Sequence, residues 1–183
     1  KLCEELNDYS RLIPGNFLYM ADVICNPSVV ARIGEIFATK FMDKKADYVV
    51  TIETKGITLA LMTARALNIP LIIVRRDGRV TEGSTVSINY VSGSSHRIQT
   101  MSIGKRSLPV GSKVLIIDDF MKAGGTAKGL LDLMSEFNSE VVGIGVLIST
   151  DEPEHKLVND YYSLLKLKQV DEIGKIIVII PSI

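Results

Sequence analysis

The sequence predicts a single α/β domain with a mostly parallel central sheet and helices on both faces. Short apolar runs suited to buried strands occur at 48–52, 69–74, 114–117 and 141–148, and they alternate with segments of helical spacing. The chain has 183 residues, which is enough for one substantial core.

Composition narrows the possible partners. The chain has 21 basic and 21 acidic residues, so its zero net charge gives no overall attraction to nucleic acid. Cys3 and Cys25 lack metal-ligand spacing and fit a reduced, cytoplasmic protein. We expect no membrane association, because no apolar run reaches the length of a membrane span and the start has no signal-peptide pattern.

The first elements follow turn signals. Residues 11–25 are a lead-in interrupted by Pro14-Gly15, and Asn26-Pro27-Ser28 predicts the start of a helix. Apolar residues recur after it with the spacing of an amphipathic helix, at Val29, Val30, Ile33, Ile36, Phe37 and Phe41.

Two predicted strands end in polar residues. Strand 48–52 leads through Glu53-Thr54-Lys55-Gly56 into a helix that reaches about Leu67, and strand 69–74 ends in Arg75-Arg76. Cations at the carboxyl ends of parallel strands can contact phosphate, although exposed charges are the commoner use of such residues.

Residues 77–109 differ from the core in having many Ser, Thr and Gly residues. Alternating patterns at 84–90 and 97–103 predict a hairpin with a mobile tip at 91–96. An insertion of this length is typical of a functional or disordered segment.

The most informative segment is 114–126. Four apolar residues predict a buried strand with Asp118 and Asp119 at its carboxyl end, followed by Gly124, Gly125 and Thr126 at the start of a helix. Glycines let the backbone approach a ligand, and a helix start favours an anion. Thr126 is expected to cap that helix and donate its hydroxyl. A phosphorylated ribose would satisfy both the loop and the acids.

The remaining elements complete the alternation. Leu130, Leu131, Met134 and Phe137 form the buried stripe of a helix, which precedes the strand at 141–148. A strand-like segment follows at 163–168. The apolar run at 175–180 needs cover from the fold or from a second subunit.

Segment 114–126 resembles the signature of type I phosphoribosyltransferases, which holds phosphoribosyl pyrophosphate (PRPP). The resemblance implies a type I phosphoribosyltransferase-like fold with a flexible hairpin loop that closes over PRPP. It also implies that the loop around Lys55 meets the diphosphate. Ala123 replaces a threonine usual in these enzymes, and Lys122 places a cation in part of the base pocket, which counts against purine transfer.

The resemblance becomes narrower at 81–95, 97–102 and 116–126, which are similar to the effector domains of the purine operon repressors of Gram-positive bacteria. It implies that residues 1–183 are one effector domain of a regulator of purine biosynthesis and transport genes. That regulator would bind PRPP without catalysis and act as a homodimer. DNA binding would reside in an N-terminal winged-helix domain that precedes Lys1 and is absent from this chain.

The resemblance also implies the ligand contacts. PRPP would act as the effector, with no obligatory cofactor and with Mg²⁺ held through Asp118 and Asp119. Lid or base contacts are expected from Tyr90, Lys105 and Phe17. The PRPP-binding residues are expected to be Thr54, Lys55, Gly56, Arg75, Asp118, Asp119, Phe120, Lys122, Ala123, Gly124, Gly125 and Thr126. Glu53 departs from the pattern, because a carboxylate beside a diphosphate is unfavourable unless it turns away or meets a cation.

Two alternatives stay open at this stage. The chain could be a purine salvage phosphoribosyltransferase that releases pyrophosphate. The cations Lys55, Arg75 and Lys122, with Phe17 or Phe120 as a stacking residue, could also bind the alarmone ppGpp or a related purine nucleotide in competition with PRPP.

Overall fold

The computed structural model describes residues 11–13, 17–19, 21–76, 83–92, 97–151, 153–168 and 177–179. The strands are β1 Arg11–Ile13, β2 Phe17–Tyr19, β3 Tyr48–Ile52, β4 Leu71–Arg76, β5 Thr85–Val91, β6 Ile98–Gly104, β7 Lys113–Met121, β8 Glu140–Thr150, β9 Tyr162–Lys168 and β10 Ile177–Ile179. The α-helices are α1 Ala21–Cys25, α2 Pro27–Phe41, α3 Gly56–Leu67 and α4 Gly125–Ser135, and a 3₁₀ turn spans Met42–Lys44.

An eight-stranded sheet organises the described part of the chain. Its order is β10-β9-β8-β7-β3-β4-β6-β5. The five strands from β9 to β4 run parallel to one another, whereas β10, β6 and β5 pair antiparallel with their neighbours. The predicted α/β class with a mostly parallel sheet is therefore confirmed. β1 and β2 form a separate two-stranded sheet.

Helices cover both faces of the sheet, because successive side chains of a strand point to opposite faces and both sets are apolar here. On β7, Leu115 and Ile117 pack against α2 and α3, while Val114 and Ile116 pack towards α4 on the other face. No helix in the described ranges is both long enough and apolar enough to cross a membrane.

The predicted start of α2 is confirmed. The side chain of Asn26 accepts hydrogen bonds from the backbone N–H groups of Ser28 at 3.1 Å and Val29 at 3.3 Å. Pro27 occupies the first helical position, where its missing N–H does no harm.

The predicted hairpin is present, but its strands belong to the main sheet. β5 and β6 pair antiparallel from Thr85 opposite Gly104 to Val91 opposite Ile98, and β6 also pairs with β4. Residues 93–96 of the tip lie outside the described part. Tyr90 is 5% exposed and packs in the core beside α4. Its hydroxyl donates to Gln99 Oε1 at 2.8 Å, so Tyr90 is placed as a core residue rather than on a lid.

Two local predictions around residue 120 were wrong. The strand predicted at 114–117 continues as β7 to Met121, because Asp118 and Phe120 still pair with β8, opposite Val146 and Ile148. Asp118 and Asp119 therefore lie within the strand. Thr126 does not cap α4, since the helix begins one residue earlier and Gly124 occupies the cap position without a side-chain bond.

Candidate ligand-binding site

The link between β7 and α4 forms a tight loop at the carboxyl edge of the sheet. Gly124 has a left-handed φ of +82°, which favours glycine. A Cβ on Gly124 would lie 3.1 Å from the backbone nitrogen of Val158. The carbonyl of Ala123 accepts a hydrogen bond from the N–H of Leu157 at 3.0 Å. The segment after β8 thus fixes this loop in place.

The loop presents groups that suit an anion. The N-terminus of α4 points its first N–H groups out of the helix, and no side chain caps them among the described residues. Lys122 is exposed beside the loop, while Ala123 and Thr126 are half-buried. Thr126 lies in the first turn, where its hydroxyl remains a candidate donor although it is not the cap.

Two carboxylates precede the loop. Asp118 and Asp119 are both half-buried, and the N–H of Asp119 donates to Asp118 Oδ1 at 2.9 Å. Burial of the carboxyl group raises the pKa of Asp118 well above its ordinary value, and the negative charge of Asp119 raises it further. Arg76 opposes this shift without cancelling it. Carboxylate oxygens can accept hydrogen bonds from hydroxyl groups or coordinate a cation, and a nearby cation would offset the shift.

The loop after β3 and the strand β7 come into contact at Gly56. This residue begins α3 directly after β3 and the polar loop. A Cβ on Gly56 would lie 2.9 Å from Asp118 Oδ1 and 2.5 Å from Thr51 Oγ1. The N-terminus of α3 thus abuts the carboxylate of Asp118. Thr54 and Lys55 are exposed next to it, and the Glu53–Thr54 peptide is cis.

Glu53 meets a cation, which is one of the two outcomes that the sequence left open. Its Oε2 accepts from Arg75 Nη1 at 3.1 Å, and its Oε1 accepts from the backbone N–H of Arg76 at 2.7 Å. Arg76 Nε also donates to the carbonyl of Glu53 at 2.9 Å. Sequence reasoning missed the role of Arg76, for which the Arg-Arg pair at the strand end was the available signal.

Lys105 lies far from the site. β6 runs antiparallel to β4, with Met101 opposite Arg76 and Ser102 opposite Arg75. Lys105 is four residues beyond Met101, which places it roughly 13 Å towards the opposite edge of the sheet at the usual rise of a strand. This register gives no support to the expected lid or base contact from Lys105. Ile98, at the start of β6, lies beyond Arg76 on the carboxyl side of the sheet.

The structure describes the side chain of only one of the two aromatic residues expected to stack on a base. Phe120 is half-buried and packs against the apolar cluster beneath α2 and α3. Phe17 belongs to β2, and its side chain lies outside the described part of the chain. Stacking of either ring on a base stays a prediction.

A mostly parallel sheet with a glycine-bearing loop and paired acids near its carboxyl edge is typical of an α/β domain of the phosphoribosyltransferase type. The sequence model of the family "Phosphoribosyl transferase domain" matches residues 22–179, and the chain belongs to this family.

Curated relatives confirm the narrower resemblance to the purine repressors. The chain is 52% identical over 170 residues to the "Purine biosynthesis transcriptional repressor PurR" of Bacillus subtilis, covering 93% of this chain and 60% of the relative. It is 42% identical over 171 residues to the "Purine biosynthesis transcriptional activator PurR" of Lactococcus lactis, covering 93% and 63%. The chain thus spans about three fifths of the length of these relatives. A "Xanthine phosphoribosyltransferase" of Lactococcus lactis is 35% identical over 154 residues, covering 81% of this chain and 78% of the relative.

Solved structures bear out the fold. Adenine phosphoribosyltransferase from Thermoanaerobacter pseudethanolicus superposes with a TM-score of 0.79 at 24% identity, covering 91% of this chain and 99% of that chain. The enzyme of the same name from Rhodothermus marinus gives a TM-score of 0.77 at 25% identity, covering 91% and 98%. The predicted type I phosphoribosyltransferase-like fold is therefore confirmed.

Proposed function

We propose that this chain is the PRPP-sensing effector domain of a transcriptional regulator of purine biosynthesis and transport genes. It binds PRPP and does not turn it over. The 5′-phosphate lies on residues 122–126 and the ribose hydroxyls on Asp118 and Asp119. The diphosphate lies near Thr54, Lys55 and Gly56, with Arg75 beside them.

The observation that supports this most strongly is that the N-terminus of α3 lies against Asp118, in the same strand that leads into the loop before α4. α4 begins after the phosphate loop, and α3 begins at Gly56 against Asp118. A ligand with a phosphate at one end, a diol in the middle and a second phosphate group at the other end matches that order of sites. The regulators similar to this chain carry the names of purine biosynthesis regulators, which supports the sensing role.

Magnesium fits the donor set. Two neighbouring carboxylates, one with a raised pKa, gain from a divalent cation between them and the ligand. Mg²⁺ in proteins is usually held by one or two carboxylates together with phosphate oxygens and water. Among the described residues no group of three or more His, Cys, Asp or Glu side chains lies close enough to hold a metal. The proposed ion is therefore shared between Asp118, Asp119 and the ligand.

Calorimetric titration of PRPP with Mg²⁺ tests the proposal. A Thr126→Ala variant removes the hydroxyl at the phosphate loop and should weaken PRPP binding about tenfold, the scale of one hydrogen bond to a charged group. Thr39→Ala is the matched control, because the hydroxyl of Thr39 bonds to the carbonyl of Glu35 on an exposed helix surface away from the site. Equal affinities of the two variants would contradict the placement of the phosphate.

A second candidate is a purine phosphoribosyltransferase, favoured by the similarity to a xanthine phosphoribosyltransferase. The titration is therefore repeated with adenine, guanine, hypoxanthine and xanthine present, and pyrophosphate is assayed. A sensor gives a saturable isotherm without pyrophosphate. Continuous heat with accumulating pyrophosphate would reclassify the protein as an enzyme. Lys122 supports the sensing role, because its ammonium group would occupy part of the base pocket.

The whole regulator would bind DNA as a homodimer through a winged-helix domain N-terminal to this chain. PRPP shifts the equilibrium between DNA-bound and free regulator only if the two states bind PRPP with different affinities. The nucleotide ppGpp, or a related purine nucleotide, would compete with PRPP through Lys55, Arg75 and Lys122. A PRPP affinity that is unchanged by saturating ppGpp would exclude that competition.

A further inference from the structure

The segment between β8 and β9 lies directly against the phosphate loop of residues 122–126. The backbone N–H of Leu157 donates to the carbonyl of Ala123 at 3.0 Å. A Cβ on Gly124 would lie 3.1 Å from the backbone nitrogen of Val158 and 3.4 Å from that of Leu157. The contact therefore joins the backbones of two segments that are far apart in sequence.

This segment is anchored independently of the loop. Val158 is 7% exposed and packs in the core cluster that contains Leu130 and Leu133 of α4. Lys156 Nζ donates to the carbonyl of Pro153 at 3.1 Å, which links two residues of the segment. Leu157 itself is 63% exposed. Its neighbours thus hold its backbone at the loop, while its own side chain contributes little to the packing.

The hydrogen bond from Leu157 sets the direction of one peptide group. The Ala123–Gly124 peptide is trans, so its carbonyl and its N–H point in opposite directions. Because the carbonyl is turned towards Leu157, the N–H of Gly124 points away from Leu157. Gly124 is the cap residue of α4, so its N–H belongs to the donors at the helix start that favour an anion.

Glycine makes this peptide easy to reverse. Gly124 has a φ of +82°, but glycine adopts positive and negative φ with similar ease, so it resists rotation of the peptide only weakly. A reversed peptide would present a carbonyl oxygen, which repels a phosphate, in place of an N–H donor. The bond from Leu157 opposes that reversal, because reversal would separate its N–H from the carbonyl of Ala123.

Resting on the proposed function, we infer that the backbone N–H of Leu157 is a positioning group for the phosphate of the ligand. It holds the Ala123–Gly124 peptide in the orientation that directs the Gly124 N–H at the phosphate. Leu157 acts through this peptide and does not touch the ligand. A ligand that prefers one orientation of the peptide also stabilises it, so bound phosphate strengthens the bond between Leu157 and Ala123.

The substitution Leu157→Pro tests this inference, because proline has no backbone N–H. Leu157→Ala is the matched control, since it shortens the same exposed side chain and keeps the N–H. Gly34→Ala controls for lost stability, because its Cβ would lie 2.5 Å from the backbone carbon of Met62, between α2 and α3. Calorimetry measures the binding of ribose 5-phosphate and of PRPP at one fixed Mg²⁺ concentration. Thermal unfolding of every variant is recorded in parallel.

We expect Leu157→Pro to weaken the binding of both ligands about tenfold, the scale of one hydrogen bond to a charged group. Leu157→Ala and Gly34→Ala should stay within about twofold of the wild type. Equal affinities of folded Leu157→Pro and the wild type would overturn the inference. A loss in either control as large as that in Leu157→Pro would also overturn it, because side-chain packing or stability would then explain the effect.

Amide hydrogen exchange of the wild-type chain is a second measurement, which does not depend on whether the proline variant folds. The Leu157 amide should exchange slowly and should slow further when ribose 5-phosphate binds. The control is the amide of Asp47, which donates to the carbonyl of Lys113 at 2.7 Å at the opposite edge of the sheet and should slow less. A Leu157 amide that exchanges as fast as an exposed amide, or that does not respond to bound ribose 5-phosphate, would contradict the inference.

Failure of this inference is distinguishable from failure of the proposed function. If neither PRPP nor ribose 5-phosphate binds the folded wild-type chain, the proposed function fails, and the inference fails with it. If both ligands bind with affinities that do not depend on the N–H of Leu157, the inference alone fails.

Discussion

Replacing Gly56 with alanine should destabilise the protein through a clash with two central strands. The new Cβ would lie 2.5 Å from Thr51 Oγ1 and 2.9 Å from Asp118 Oδ1. Thr51 is fully buried in β3, where it pairs with Ile73 of β4. Because β3 is held by parallel strands on both sides, it cannot move aside, and α3 must shift outwards.

The expected cost follows from these distances. Relieving the contact with Thr51 requires a shift of about 1 Å, and overpacking of this kind costs about 1–3 kcal/mol. Alanine gains up to about 1 kcal/mol over glycine within a helix, so a cost at the upper end leaves about 2 kcal/mol. For a domain of this size that lowers Tm by about 4–8 °C. PRPP affinity should fall as well, since the N-terminus of α3 moves away from Asp118.

A double-mutant cycle isolates the cause. Thr51 Oγ1 has no hydrogen-bond partner among the described residues, so Thr51→Ala removes the obstacle without breaking a bond. In that background Gly56→Ala should cost at least about 1 kcal/mol less, because only the mobile carboxylate of Asp118 is left in the way. Chemical denaturation of the four proteins gives the coupling energy. Additive costs would refute the proposed clash.

Three further predictions concern neighbouring positions. The pKa of Asp118 is raised in the folded protein, so ionisation of this group lowers stability as pH rises above the ordinary value of 3.8. Asp118→Asn should therefore raise Tm at pH 7 and make Tm depend less on pH, and it should weaken PRPP binding. Gly124→Ala should cost about 1–2 kcal/mol through its positive φ and weaken ribose 5-phosphate binding, measured by denaturation and calorimetry. Gly34→Ala would put a Cβ 2.5 Å from the backbone carbon of Met62, so urea denaturation should show a loss of about 3 kcal/mol without a specific ligand effect.

The sequence predicted those elements that depend on interactions between residues close together in the chain. Asn26 and Pro27 gave the start of α2 because an N-cap and a first-turn proline act within a few residues. The alternation in residues 84–90 and 97–103 gave the hairpin, since each strand places one face on the core. The sequence placed Asp118 after the strand, whereas the structure keeps it inside β7 with its carboxylate against the N-terminus of α3.

Long-range pairing explains what the sequence could not predict. β7 continues to Met121 because β8 reaches Thr150 and supplies partners along the way. Lys105 lies at the far edge because β6 pairs antiparallel with β4, a choice that no residue near Lys105 encodes. The contact of Glu53 with Arg75 joins side chains 22 positions apart in sequence, and it exists only because β3 and β4 are neighbours in the sheet.

The charges at this edge of the sheet also predict how metal and ligand depend on each other. Asp118 and Asp119 place two carboxyl groups close together in a partly buried position. Burial and the charge of Asp119 both raise the pKa of Asp118, so negative charge is unfavourable there. A phosphate bound to the adjacent loop would increase the repulsion between negative charges unless a cation binds with it. Mg²⁺ should therefore strengthen ribose 5-phosphate binding, and ribose 5-phosphate should strengthen Mg²⁺ binding by the same factor, as linkage requires. In Asp118→Asn, where the neutral amide removes much of the excess charge, this mutual dependence should shrink even though both ligands bind more weakly.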